Sequence, residues 1–247
     1  MEISIIMPVL NEQQLIAQTL AATRQIVGDA ELIVVDGGSA DRTAALARPY
    51  AHVISARRGR AVQMNAGAML ARSEVLLFQH ADTLMPAGAL DMVRAALADP
   101  QVLGGAFAIR FDQPGWMYER MGRDTSRRSL GGSYTGDQCI FVRRAAFWGM
   151  GGYPQLEIME DVELADTMRR RGPVRLISTP VVTSARRHRQ CGLVNVLLLC
   201  WRIRLLYALG VSNVHAQFKL WTHQQGRSIR ATARATARTR SSRPSRQ

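Results

Sequence analysis

The chain has 247 residues and a mass of 27.3 kDa, and its 47% hydrophobic content supplies a substantial core and excludes intrinsic disorder for most of its length. Thirty-two Lys and Arg against 19 Asp and Glu give a formal charge of +13; residues 226–247 hold seven of the arginines and no acid, leaving about +6 for the rest. Three scattered cysteines, Cys139, Cys191 and Cys200, fit neither a disulfide framework nor a zinc site and point to a reducing, cytoplasmic compartment. No basic leader with a cleavage site precedes the first apolar run, so no signal peptide is expected.

Short apolar runs alternate with segments of helical length over the first hundred residues, which is the βαβ rhythm. Strands are expected at 3–8, 31–35, 52–55 and 74–79, each followed by a helix, at 12–27, 41–48, 60–71 and 87–98. Right-handed crossovers then make these strands parallel. The loops at Asn11, at 36–39 and at 80–83 should share the rim beyond the strands' carboxyl ends, where such sheets bind ligands. Further along, 102–111 reads as a longer strand, Phe141 and Val142 end another, 160–171 is a helix stopped by Gly172 and Pro173, and 174–177 is a strand. The segment 113–136, rich in Gly, Ser and Arg, reads as a mobile loop beside the site. Residues 226–247 are low in complexity and are expected to be disordered.

Asp36 ends the run Leu32-Ile33-Val34-Val35 and precedes Gly37, Gly38, Ser39 and Asp41. A strand-end carboxylate with two glycines suits a nucleotide-binding turn, and equally an ordinary βα turn with helix caps, Asp41 being the cap. His80 and Asp82, two apart in an extended turn, face one side and suit a divalent cation with its diphosphate, or a structural role. Glu160 and Asp161 open a helix and diverge by ~100°, so one can act as a general base while the other caps or pairs with an arginine. Acids are also favoured there by the helix dipole alone, and Glu163 takes that role.

The ordered set Pro8-Val9-Leu10-Asn11-Glu12, Val35-Asp36-Gly37-Gly38-Ser39, Gly59-Arg60-Ala61-Val62-Gln63-Met64-Asn65-Ala66-Gly67-Ala68, His80-Ala81-Asp82, Gly151-Gly152-Tyr153-Pro154 and Met159-Glu160-Asp161 resembles the family 2 glycosyltransferases over about residues 1–180. The Gly-Arg-x-x-Gln-Met-Asn-x-Gly-Ala run, His80-Ala81-Asp82-Thr83 and Gly136-Asp137-Gln138 look like the subgroup called rSAM/selenodomain-associated transferase 2. The resemblance implies an α/β GT-A (Rossmann-like) fold with a mostly parallel central sheet flanked by helices, binding a nucleoside diphosphate sugar. It implies that Pro8 and Glu12 edge the nucleotide, that Asp36 contacts the base, and that Arg60 and Asn65 lie on the nucleotide side, with Arg60 approaching the diphosphate. Asp82 matches the metal-binding acid of Asp-x-Asp, for Mn²⁺ or Mg²⁺, and Asp161 matches the base that deprotonates the acceptor, beside Glu160.

Two departures from the family pattern matter. His80 replaces the first acid of Asp-x-Asp, and the Gln-x-x-Arg-Trp motif of processive synthases is missing, which disfavours polymer synthesis. Cys139 stands where glycine is expected. The expected activity is thus inverting, metal-dependent and non-processive transfer to an acceptor that is a lipid, a sugar or a small molecule.

The apolar stretch 193–209, interrupted by Asn195, Arg202 and Arg204, is too broken to span a membrane and reads as a core helix, a helix on an anionic membrane surface or an oligomer contact. Residues 181–225 are therefore expected to form a helical extension, placing the protein in the cytoplasm or peripherally at the inner face of the membrane. The basic tail suggests nucleic-acid binding as an alternative, but 226–247 contain no aromatic residue and no binding module is recognisable, so no specific nucleic acid is expected. A catalytically inactive nucleotide-sugar sensor is disfavoured by the presence of Asp36, Asp82 and Asp161.

Overall fold

The computed structural model describes residues 1–209. Ile3–Val9 forms β1, whose alternating side chains divide the core into two layers. Ile3, Ile5, Met7 and Val9 pack with Ile16 and Leu20 of α1 (Ile16–Val27) and with Ala89, Leu90 and Val93 of α4 (Ala89–Ala96). Ile6 faces the other way, among Met64 and Ala68 of α3 (Arg60–Leu70) and Leu164 and Met168 of α7 (Glu160–Arg171). Helices on both faces explain why β1, β2 (Leu32–Asp36) and β4 (Val75–Phe78) are nearly unbroken apolar runs.

The eight-stranded sheet has the order β3-β2-β1-β4-β7-β6-β8-β5, with β3 at His52–Ser55, β7 at Phe141–Arg143, β6 at Gly104–Phe111, β8 at Val174–Thr183 and β5 at Thr83–Leu84. The first four are mutually parallel, β6 and β8 are parallel, and β7 and β5 run antiparallel to their neighbours. Each expected strand and helix of the first hundred residues is present, shifted by a few residues at the ends, with α2 at Thr43–Ala47. The chain turns from β1 toward β2 and β3, then returns to place β4 on the opposite side of β1. Such a reversal opens a crevice at the carboxyl ends of β1 and β4. Because β7 is antiparallel, its beginning reaches the same rim: the Phe78 amide donates to the Ile140 carbonyl at 2.8 Å.

Two expectations are corrected. The expected loop at 113–136 contains a 14-residue helix, α5 (Trp116–Ser129), whose charged exposed face is supported by Arg120–Asp124, Arg123–Glu119 and Arg127–Asp124 pairs at helical spacing. Its inner face meets β6, where Ser126 Oγ accepts the Ile109 amide at 3.1 Å. The strand expected at 174–177 continues to Thr183. A register shift opposite Phe107 and Ala108 skips from Ile177 to Pro180, so the proline, which lacks an N–H, sits at an irregularity that tolerates it.

The first compact unit runs from Met1 to Ala185 and a second begins at Arg186. Of the second, α8 (Arg186–Cys191) and α9 (Leu193–Ala208) are described. The expected disordered tail at 226–247 and the segment 210–225 lie outside the described residues. Among the described residues no helix is long and apolar enough to cross a membrane.

Candidate active site

At the ends of β1 and β2 the loops are stitched together. Asp36 Oδ2 accepts the Ser39 amide at 3.0 Å, and Oδ1 accepts the Ser39 hydroxyl. Asn11, left-handed at φ 55°, donates its backbone amide to Ser39 Oγ and accepts the Ala40 amide on its side-chain Oδ1, each at 2.9 Å. The Glu12 amide donates to Thr43 Oγ1 at 2.8 Å, and Asp41 accepts the Thr43 amide at 2.9 Å in an Asx turn leading into α2, whose N-cap position is Arg42 rather than Asp41. Pro8 is buried in β1 opposite Val35. Gln63, buried on α3, donates to the carbonyls of Val9 at 2.9 Å and Val35 at 2.8 Å, so the Gly-Arg-x-x-Gln segment fixes the rim that carries Glu12 and Asp36.

The other candidates converge at the end of β4. Arg60 Nε lies 2.8 Å from Glu160 Oε1, and Nη2 donates to Oε2 at 3.3 Å; Glu160 is 1% exposed. Of the two roles open for Glu160 and Asp161, pairing with an arginine thus falls to Glu160. Asp161 Oδ2 accepts the Gly136 amide at 2.6 Å, while Oδ1 takes the Val162 amide at 2.8 Å. Gly136 is required by contact: a Cβ there would stand 2.7 Å from His80 Nε2 and 3.4 Å from Asp161 Oδ2. The His80 loop is anchored by Thr19 Oγ1 on the Ala81 carbonyl, 2.7 Å, and by the Ser184 amide on the Asp82 carbonyl, 3.0 Å.

These groups form one electrostatic cluster. Burial, followed by the Arg60 charge, pushes the His80 imidazole toward its neutral form, against Asp82, Asp137 and Asp161. Burial raises the Asp137 carboxyl, opposed by the hydroxyl of Thr135, which donates to it at 2.6 Å, and by His80. Burial also lifts Glu160 to about 7, with Arg60 pulling it down and Asp161 pushing it up. Arg60 is disfavoured by burial, but Glu160, Asp161 and Asp137 more than offset this and hold it firmly charged.

Asn65 does not face open solvent. Its amide donates to the Tyr153 carbonyl and accepts the Tyr153 amide, both at 2.8 Å, clasping the Gly151-Gly152-Tyr153 turn to α3. Arg60, expected at a diphosphate, is engaged with Glu160 in this structure. Tyr153, to which the sequence assigns no role, packs its ring against Phe78 at 4.9 Å and Phe147 at 5.8 Å. Its buried hydroxyl has no hydrogen-bond partner among the described residues, and burial together with Asp161 and Glu160 raises it well above the ordinary phenol range. Asp137 was equally without a role; its only sequence signal is its place in Gly136-Asp137-Gln138. Gln138 Nε2 holds this turn, donating to the Phe107 carbonyl and Ser129 Oγ, each at 2.9 Å.

Asn11, Cys139 and Met159 are the non-glycine residues with left-handed backbone among those described, at φ 55°, 49° and 66°, and all three border this site. Such conformations cost roughly 1–3 kcal/mol and gather at functional sites. Cys139 accordingly occupies a position that glycine adopts freely, which explains the glycine expected there.

The eight-stranded mixed sheet with helices on both faces is a GT-A-like α/β fold, and it gathers acids, a histidine and an arginine near its reversal of strand order. A family model described as glycosyl transferase family 2 matches residues 4–151, and the chain belongs to that family. Among solved structures, the Mannosyltransferase PcManGT from Pyrobaculum calidifontis, in complex with GDP-Man and Mn²⁺, is 23% identical with a TM-score of 0.64, covering 95% of this chain and 75% of that one. S. aureus TarS 1–349 is 16% identical with a TM-score of 0.61, covering 77% of this chain and 62% of that one. The same TarS fragment in complex with UDP-GlcNAc is 18% identical with a TM-score of 0.61, covering 75% and 59%. At these identities the likeness shows the shared fold. The chain spans less than two thirds of the TarS proteins it matches, 62% of the shorter and 37% of the longer. No curated protein matches the chain.

Proposed function

We propose that this protein transfers a sugar from a nucleoside diphosphate sugar to an acceptor hydroxyl, with inversion and without processive polymer synthesis. The observation that carries this reading is the convergence of Arg60, His80, Asp82, Asp137, Glu160 and Asp161 at one rim of a family 2 fold. Asp161 serves as general base, its two oxygens aimed by backbone amides, and Glu160 holds Arg60. Pro8, Glu12 and Asp36 border the nucleoside, and Asn65 acts by fixing the Tyr153 turn. The absence of a Gln-x-x-Arg-Trp motif supports single transfers, and the cysteine usage supports a cytoplasmic site of action. The closer likeness to the rSAM/selenodomain-associated transferase 2 subgroup belongs to the same proposal.

A divalent cation, Mn²⁺ or Mg²⁺, is part of the proposal. Among the described residues no three acid, histidine or cysteine side chains form a ready-made metal cage. A carboxylate at Asp82 with a His80 held toward neutrality nevertheless fits an ion that draws its remaining ligands from a diphosphate. When bound, that ion supplies charge stabilisation to the departing diphosphate. This chain's own part is to hold the donor-side loops through Gln63 and Ser39 and the acceptor-side acid through Gly136.

The test is a thermal-shift screen of GDP-mannose, UDP-GlcNAc and the parent nucleotides, with and without Mn²⁺, followed by transfer assays. Donor-dependent stabilisation that needs Asp82 is expected. Asp161→Asn should keep donor affinity and lose roughly 10²-fold or more in transfer. Near-normal turnover by that variant removes Asp161 as the base, and donor binding without transfer across a lipid, sugar and small-alcohol panel restores the sensor reading.

A further inference from the structure

The charge of the molecule is not spread over it. All 19 acids and 19 of the 32 Lys and Arg lie in the first unit, residues 1–185, which is therefore formally neutral. The second unit, residues 186–247, holds the other thirteen bases and no acid, and so carries the entire formal charge of +13.

Within that unit α9 is apolar around most of its circumference. A helix of this kind needs cover on more than one side. Val196 is buried, and Leu199, Ile203, Leu206 and Tyr207 are partly buried. Leu197, Leu198, Trp201, Leu205 and Leu209 are 36%, 60%, 67%, 42% and 68% exposed. At ~100° per residue they fall within an arc of roughly 120°. Arg202, exposed, flanks that arc at its edge.

We propose that this stripe docks on an anionic phospholipid surface, with the apolar side chains entering the interface and the bases of residues 186–247 held to the headgroups. The charge argues for this occupant over others. A second copy would bring +13 against +13, and a nucleic acid would satisfy the bases while leaving a tryptophan and four leucines in water. An anionic bilayer offers both an apolar layer and negative charge, and the indole suits the boundary between them. The inference stands on the second unit alone and does not depend on the chemistry assigned to Asp161.

The experiment is flotation of the full chain with vesicles of phosphatidylcholine alone and of phosphatidylcholine with phosphatidylglycerol, at low and at high salt. Binding to the anionic vesicles, weakened by salt, is expected, and Trp201→Ser with Leu205→Ser should weaken it by about tenfold or more. Both positions are exposed, so the melting temperature should hold; if it falls, Leu198→Gln on the same stripe replaces the pair. Four results would overturn the proposal: no binding to anionic vesicles; equal binding to both compositions; full binding by the stripe variants; or a wild-type dimer that the stripe variants dissolve. Binding to duplex DNA but not to vesicles would do the same.

Discussion

Glu160 gives the site a titration of its own. Burial raises its carboxyl from an ordinary 4.5 to about 7 in spite of Arg60, so the folded chain retains a proton that the unfolded chain releases. A raised carboxyl contributes stability that is fully present below the unfolded value and is lost as pH rises through the folded one. The contribution of Glu160 to stability should therefore fall between about pH 4.5 and pH 7, by about 3 kcal/mol, against an opposite slope from His80, whose neutral form burial favours. Urea midpoints at about pH 5 and about pH 8 read this slope, and Glu160→Gln should flatten it. A slope unchanged in the variant would assign it elsewhere. Tyr153 makes a second prediction of opposite sign to the usual core substitution. Tyr153→Phe keeps the ring packing and removes a buried hydroxyl without a hydrogen-bond partner, so it should raise stability by about 1 kcal/mol in the same titration. A clear loss would mean that the hydroxyl is satisfied in solution.

Among the elements, α5 depends on how closely its backbone meets β6. A Cβ on Gly122 would stand 2.8 Å from the Ile109 carbonyl oxygen, so Gly122→Ala should push the helix outward and cost about 1–3 kcal/mol, measured by thermal melting. An unchanged melting temperature would show that the helix is free to shift. This helix is also the element least legible in the sequence. Its mean hydropathy is low, and glycine, serine and arginine are the composition of loops; what makes it helical is side-chain pairing along its outer face and docking on β6, neither visible in local periodicity. The end of β8 is illegible for a similar reason, since Pro180 has no N–H for a strand ladder and is accommodated only by the irregularity opposite Phe107 and Ala108. The strands β1, β2 and β4 were legible because parallel strands buried on both faces must be apolar nearly throughout, while β3, at the sheet edge, was legible from its place in the βαβ rhythm. For the site, the residue types and their order were legible from the family's motifs. The Arg60–Glu160 pairing, the Asn65 clasp and the company kept by Asp137 were not, because they join segments far apart in sequence and arise only when β7 and α7 reach the rim of β4.

Across the whole molecule, a formally neutral unit holds every candidate site residue, while the second unit carries the charge. Deleting residues 226–247 removes seven arginines and no candidate site residue, so nucleotide-induced thermal shifts should persist while salt-sensitive vesicle association weakens. Loss of the nucleotide shift would extend the site into that segment. The Arg60–Glu160 pair has a consequence of a different kind, because its members lie 100 positions apart. Synthesis at roughly 5–20 residues per second brings Arg60 out about 5–20 s before its carboxylate. For that interval the nascent chain presents a cation at the rim with none of the α7 acids behind it. A product released by a ribosome that stops short of Glu160 would carry the sequence of β1 to β4 with a guanidinium lacking its counterion and without the core residues of α7, differences from the finished chain that chaperones and proteases can sense.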